Sequence, residues 1–204
     1  MRDKLDSQPI SVNNFSPEII LEDHRVKLEP VSESHFEGYS KFMTKPEIWN
    51  FAVFKISSNQ DVKNFIDRCV RERAERKRYS FTVFNKLDGQ ICGGSSFLNF
   101  SFHDKRVEIG SSFLNPVVLG KGINSSVKFL LLEYAFTVLN FERVEFKTDF
   151  YNYRAKAALV KIGAIEEGIL KSHTLMHDGR RRDSVYYGIV KSAFESVKKL
   201  YQSS

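Results

Sequence analysis

Cysteine is scarce in this chain. Cys69 and Cys92 are the only two in 204 residues. They fall on an expected helix face and an expected strand face rather than at metal-ligand spacing, which excludes a disulfide framework and a cysteine-built metal site. Both thiols are expected to be buried and reduced, and no metal is implied. Long apolar runs are also missing: none approaches the roughly 20 residues of a membrane span. Met1-Arg2-Asp3-Lys4-Leu5-Asp6 has neither the apolar stretch nor the cleavage site of a secretory leader. A soluble, cytoplasmic protein without a membrane partner is therefore expected. There is no internal repeat and no low-complexity segment, which argues against a solenoid or a linker-rich chain.

Aromatic residues are plentiful, with 18 Phe and 8 Tyr in a chain that is 42% hydrophobic. That is enough for one domain with a large aromatic core and too little for two of ordinary size. Residues 1–16, rich in Ser, Asn, Asp and Pro, read as a loose arm, and 17–204 as the domain. The net charge of +6 gathers in two places, Arg71 to Arg78 and Arg180-Arg181-Arg182. Glu72 and Glu75 interrupt the first, on the polar side of a helix whose apolar face is Val62, Phe65, Ile66, Cys69 and Val70. Mixed sign at such a place is a solvated face rather than a nucleic-acid surface. An anionic small molecule or an acidic partner is an adequate use of the remaining field.

The first strand is expected over Ile19 to Leu28, followed by a helix capped by Ser32 that carries Phe36, Tyr39, Phe42 and Met43 and stops at Pro46. Ser58 with Asp61 forms a capping box for a helix from about Gln60 to Lys77. The period then changes to two. Tyr79, Phe81 and Val83 alternate with polar neighbours, Asp88-Gly89 turns the chain, and Ile91 to Phe100 returns. His103-Asp104 turns it again into the strand of Val107 and Ile109, completing an antiparallel meander. That third strand breaks at Asn115-Pro116, because proline cannot donate to a ladder. Gly120-Lys121-Gly122 follows, and then a helix with Ile123, Val127, Leu130, Leu131, Tyr134, Ala135 and Val138 on one face. Val144, Phe146 and Thr148 form a strand that a helical crossover places parallel to the one before. A helix from Asn152 to Ile162 stops at Gly163, and a final strand pair, about Glu167 to Leu175 and Asp183 to Val190, turns at Asp178-Gly179.

A strand, a glycine-flanked turn and a helix N-terminus make an anion site, to which Lys121 adds a full charge. The Walker pattern fails, because Ile123-Asn124 stands where a Lys-Ser/Thr pair is required. The three-glycine dinucleotide pattern is absent. Two parallel strands joined by a helix, the first interrupted at Pro116, must splay apart at the interruption. The cleft exposes backbone groups that an amide-bearing arm can pair with, as an added strand does. A diphosphate at the turn and an amide arm in the splay together describe coenzyme A.

These residues resemble the GCN5-related N-acetyltransferase (GNAT) superfamily, and more closely its branch that acetylates the N-terminal amines of ribosomal proteins. The segment Val117 to Gly122 is similar to the family's pyrophosphate motif at both glycines, with Val117 where a basic or amide residue is usual. Further matches run in order: Glu108-Ile109-Gly110, Lys147-Thr148-Asp149 with Asn152, Ile162-Gly163-Ala164, Glu167-Gly168-Ile169-Leu170, Asp178-Gly179-Arg180 and Arg182-Asp183. The resemblance implies an α+β domain whose mixed, mostly antiparallel sheet is splayed between two central parallel strands and flanked by helices. It implies acetyl-CoA as acyl donor, bound by the backbone at Val118, Gly120, Gly122 and Ile123, by Lys121, and by Asn152 along the pantetheine arm. The implied partner is an amine acceptor, a peptide N-terminus or a small molecule, and a homodimer is admitted.

Attack of an amine on a thioester needs a neutral amine, a donor for the oxyanion and a route for the proton. Glu108, twelve residues before Gly120, is the candidate base, directly or through water; the bland alternative pairs it with Arg106 or Lys105. The N–H of Phe113 or Leu114 is the expected oxyanion donor. Two departures bear on the leaving thiolate. Ala155 stands where the branch usually has serine, and Leu159 where other members have tyrosine, leaving Tyr151 and Tyr153 as nearby hydroxyls out of register. Asp183 and Tyr186 are expected to fix the sheet or the cleft, and the five histidines to be surface or strand residues without partners. A non-catalytic acyl-CoA-binding module and a basic RNA- or ribosome-associated protein are the alternative functions.

Overall fold

The structure is a computed structural model and describes residues 18–202; the expected arm at 1–16 lies outside them. Its centre is one eight-stranded sheet in the order β1-β2-β3-β4-β5-β6-β8-β7. The strands are β1 (Leu21–Glu22), β2 (Val26–Pro30), β3 (Arg78–Asn85), β4 (Ile91–Ser101), β5 (Arg106–Leu114), β6 (Arg143–Asp149), β7 (Ile165–Leu175) and β8 (Arg181–Val190). Every neighbouring pair is antiparallel except β5 and β6, so the expected α+β class and the central parallel pair are both present. The first strand is not continuous. Asp23 Oδ1 accepts the N–H groups of Arg25 and Val26, at 2.7 and 2.8 Å, and folds the segment into a two-stranded hairpin.

Helices α1 (Phe36–Ser40) and α2 (Asn59–Ala74) cover one face, and α3 (Ile123–Glu133) and α5 (Phe194–Gln202) the other; α4 (Tyr153–Lys161) crosses from β6 to β7. Alternation decides which residues meet which layer. Tyr79, Phe81 and Val83 join Val107, Ile109, Val127, Leu131 and Phe146 in the larger core. Tyr39, Trp49, Phe65 and Ile66 form a second core on the opposite face. The box at the start of α2 is as expected: Asp61 N–H donates to Ser58 Oγ at 3.1 Å and Ser58 N–H to Asp61 Oδ2 at 3.0 Å. Helix α1 is shorter than its apolar pattern predicts, one and a half turns after a 3-10 turn at Glu33–His35. The sequence reading places no helix after β8. Phe194, Val197 and Tyr201 nevertheless share one face of α5, and Tyr201 stacks on Phe129 of α3 at 4.1 Å.

Strand β5 carries one residue more than its partner between Gly110 and Phe113: Ser96 faces Gly110 and Gly94 faces Phe113. Ser111, at φ 49°, absorbs it as a bulge. The bulge reverses the alternation. Ile109 belongs to the larger core, whereas Phe113 belongs to the second.

Candidate active site between strands β5 and β6

The parallel pairing of β5 and β6 covers only Arg106 with Arg143, Val107 with Val144 and Glu108 with Glu145. Beyond it β5 runs on to Leu114 and β6 to Asp149, each paired to its outer neighbour and not to the other. The expected splay is therefore present, with two strand edges facing a cleft. Asn115 N–H donates to Cys92 O at 2.8 Å. By ladder alternation the Phe113 N–H also turns toward β4, and the Leu114 N–H toward the cleft. Of the two expected oxyanion donors only Leu114 is on the correct edge; Phe113 instead gives its buried ring to the second core.

At the mouth, Pro116–Val118 forms a 3-10 turn. It engages one of the expected diphosphate donors: Val118 N–H donates to Asn115 O at 3.1 Å, so Val118 contributes a buried side chain rather than an open amide. Lys121 N–H is likewise directed to Val118 O, at 3.4 Å, while its side chain is exposed. Gly120 and Gly122 both stand at φ 77°, where a side chain is disfavoured, and Gly122 is the N-cap of α3. Among the described residues the N–H groups of Gly120, Gly122 and Ile123 donate to no protein acceptor. Arg25 was not legible in the sequence, yet a Cβ on Gly122 would stand 3.2 Å from its Nε. Open amides at a helix N-terminus, flanked by Arg25 and Lys121, are a donor set that fits a diphosphate.

Glu108 is 5% exposed. It pairs with neither Arg106 nor Lys105. Lys147, two residues beyond the parallel pairing on β6, places Nζ 2.7 Å from its Oε2, and Asn99 Nδ2 donates to the same oxygen at 2.8 Å. Oε1 hydrogen-bonds to none of the described residues and lies over Gly110, whose missing Cβ would be 3.1 Å away. Burial opposes the Lys147 ammonium, but its bond and ion pair with Glu108 outweigh that and hold its pKa above the ordinary value. The carboxylate is thus fixed through one oxygen and open at the other. Arg106 pairs instead with Asp104 and Glu145.

Lys128 lies on the other side of the splay, on the stripe shared with Leu132 of α3 and Ala135 of the π-helical turn that continues it at Tyr134–Val138, and only 6% of it is exposed. That stripe, four and seven residues ahead, is the signal that could have found it. Its Nζ donates to Ser112 Oγ at 2.7 Å, which the bulge at Ser111 turns toward α3, and stands 5.4 Å from the ring centre of Phe146. Burial pushes its pKa down to about 7, with Glu108 opposing the shift. Between that value and the ordinary 10.5 the unfolded chain holds a proton that the folded chain does not. Stability therefore rises with pH through this window, and the penalty is fully present below it. Lys128→Met is expected to raise stability at pH 7 by about 3 kcal/mol or more and to flatten its rise between pH 7 and 10. Urea unfolding at several pH values checks this; an unchanged profile contradicts it.

Asn152 caps α4, its Oδ1 accepting Ala155 N–H at 3.0 Å, which leaves its amide nitrogen for a ligand. Tyr153 is 66% exposed and stacks under Lys156 Nζ at 4.7 Å. Asp183 fixes the sheet edge as expected, accepting Ser172 N–H at 2.7 Å, and Tyr186 lies under Lys147 Nζ at 5.0 Å. The histidines are less isolated than expected. His35 is buried with Nδ1 2.7 Å from Thr82 Oγ1, His173 Nδ1 is 3.0 Å from Ser184 Oγ, and His177 Nε2 reaches Trp49 O at 3.2 Å. This last contact joins the turn between β7 and β8 to the segment between α1 and α2. Cys69 and Cys92 are both buried and free. Burial raises both thiols, Cys92 to about 12, so neither is a nucleophile at neutral pH. Among the described residues, no helix is long and apolar enough to cross a membrane.

A splayed parallel pair ending in a glycine turn defines a class of fold and site, and comparison with known proteins agrees. The family model for the acetyltransferase (GNAT) domain matches residues 25–165. The chain belongs to this family. It is 32% identical over 111 residues to the Bacillus subtilis (strain 168) protein named "Putative ribosomal N-acetyltransferase YdaF", a match spanning 54% of this chain and 60% of that relative's length. It is 23% identical over 163 residues to the spermidine N(1)-acetyltransferase of Escherichia coli (strain K12), covering 79% of this chain and 84% of the relative. Among solved structures, Mycobacterium smegmatis RimJ in complex with CoA-disulfide shares the fold at a TM-score of 0.78 and 20% identity, covering 91% of this chain and 93% of that one.

Proposed function

We propose that this protein is an acetyl-CoA-dependent N-acetyltransferase acting on a primary amine. The observation that carries the reading is the one-ended divergence of β5 and β6, which opens at Leu114 directly before the turn with the open Gly120, Gly122 and Ile123 amides. A diphosphate on those amides, with Arg25 and Lys121 beside it, directs the pantetheine arm between the strand edges. The thioester supplies an activated acyl carbon, and the chain's own groups do the rest. Leu114 N–H faces the developing oxyanion. Oε1 of Glu108 takes the amine proton, directly or through one water, while Lys147 and Asn99 hold the carboxylate by its other oxygen. Two resemblances support the chemistry: relatives named for acetylating ribosomal proteins or spermidine, and a solved neighbour that holds a CoA derivative.

Release of free thiol from acetyl-CoA, measured with and without a mixture of primary amines, tests the reading. Amine-dependent release is expected. Binding of acetyl-CoA without any release would favour the non-catalytic module, which the absence of serine and tyrosine at Ala155 and Leu159 keeps in view. The exposed ring of Tyr153 is not asked to donate to the thiolate. Tyr153→Phe is expected to change turnover less than about tenfold, under about 1.4 kcal/mol of barrier. A thousandfold loss with acetyl-CoA affinity intact would give Tyr153 the acid role.

A further inference from the structure

Beyond Glu108, on the sheet face away from α3, lies a polar group of which the transfer chemistry uses only Lys147. Lys147 and Asp149 of β6 project to the same side as Glu108, and Arg182, Ser184 and Tyr186 of β8 stand beside them. Two carboxylates there are already neutralised. Glu108 is paired with Lys147 at 2.7 Å, and the buried Asp149 with Arg180 Nη2 at 2.6 Å. Arg182 is the third cation, and only 9% of it is exposed. Its Nε donates to Ser184 Oγ at 3.1 Å, but its two terminal nitrogens hydrogen-bond to none of the described residues. Neither is sealed from solvent. Asp178, the other nearby acid, sits exposed on the turn before Arg180. Burial works against the Arg182 charge, and Asp149 and Glu108 offset it only in part.

A guanidinium so deeply placed is costly unless its fork meets an acceptor. We propose that Arg182 is the specificity determinant of the acceptor site, its free terminal nitrogens binding a carboxylate carried by the same molecule that presents the amine. This rests on the reading of Glu108 as the proton acceptor and goes further by naming the substrate class. A carboxylate suits the fork because two parallel N–H bonds can form. A polyamine does not, since it would bring more positive charge to a site where three cations already face two carboxylates.

The test uses the full chain and matched peptides with a free N-terminal amine and amidated C-terminus, carrying either Asp and Glu or the isosteric Asn and Gln near the amine, with spermidine as a third acceptor. The wild type is expected to favour the acidic peptides about 30-fold or more in kcat/KM, the scale of a charge-assisted bidentate contact. Arg182→Met should bring that ratio within about threefold, and Arg182→Lys should retain part of it. Calorimetric binding of the same peptides, without acetyl-CoA, gives a second readout that needs no turnover. Carboxylate-dependent binding lost in Arg182→Met supports the site even if no acetyl group is transferred, in which case the enzymatic reading alone fails. Equal treatment of acidic and amide peptides by the wild type, a preference for spermidine, or an unchanged ratio in a folded Arg182→Met or Arg182→Lys protein would overturn it.

Discussion

Gly120→Glu is expected to abolish acetyl-CoA binding. The position stands at φ 77°, so any side chain there adds strain of about 1 kcal/mol. A Cβ would meet nothing within 4 Å, so the fold tolerates the substitution. The loss then comes from the carboxylate, which places negative charge in the cradle of open amides where the diphosphate would lie. A weakening of at least a hundredfold, about 2.7 kcal/mol, is expected. Gly120→Ala separates strain from charge and should stay within about tenfold of wild type. Unchanged affinity of the folded Glu variant in titration calorimetry would move the nucleotide site elsewhere.

Glu108→Gln is expected to lower turnover by about a hundredfold or more, the usual size of a general-base contribution, while acetyl-CoA affinity stays near wild type. The substitution keeps the volume and the contact with Asn99 but removes the charge that faces Lys147. Breaking that pair also removes the interaction that holds the Lys147 pKa up, leaving burial to lower it. The activity that remains should rise toward alkaline pH, where more of the acceptor amine is neutral without help. Unaltered turnover in the folded variant would reduce Glu108 to a structural partner of Lys147 and leave deprotonation to solvent.

Much of the frame was legible because it rests on local rules. Ser58 with Asp61 marks the start of α2, Pro116 ends β5, and the helical crossover makes β6 parallel. From the last two of these the splay follows, and with it the place of Gly120 and Gly122. What was hidden depends on contacts between distant segments or on irregularities. Arg25 reaches Gly122 from the turn between β1 and β2, across nearly a hundred positions, through the hairpin that Asp23 folds. The partner of Glu108 is Lys147 rather than its sequence neighbours, because the parallel register sets β6 beside it. The bulge at Ser111 carries no residue signature, yet it decides that Phe113 leaves the larger core and that Ser112 meets Lys128. Arg182 stands inside a run of three arginines, and only alternation along β8 separates the buried one from Arg181.

The central claim is that the cleft between β5 and β6 transfers an acetyl group from acetyl-CoA to an amine. The most direct measurement is mass spectrometry of amine acceptors after incubation with acetyl-CoA labelled with deuterium in the acetyl group. The account predicts a mass gain of one labelled acetyl group on the amine nitrogen, in step with free thiol release, abolished in Gly120→Glu and slowed about a hundredfold or more in Glu108→Gln. Acceptors that gain no label while acetyl-CoA binds at the Gly120 turn, or labelling at the wild-type rate in both variants, would contradict it.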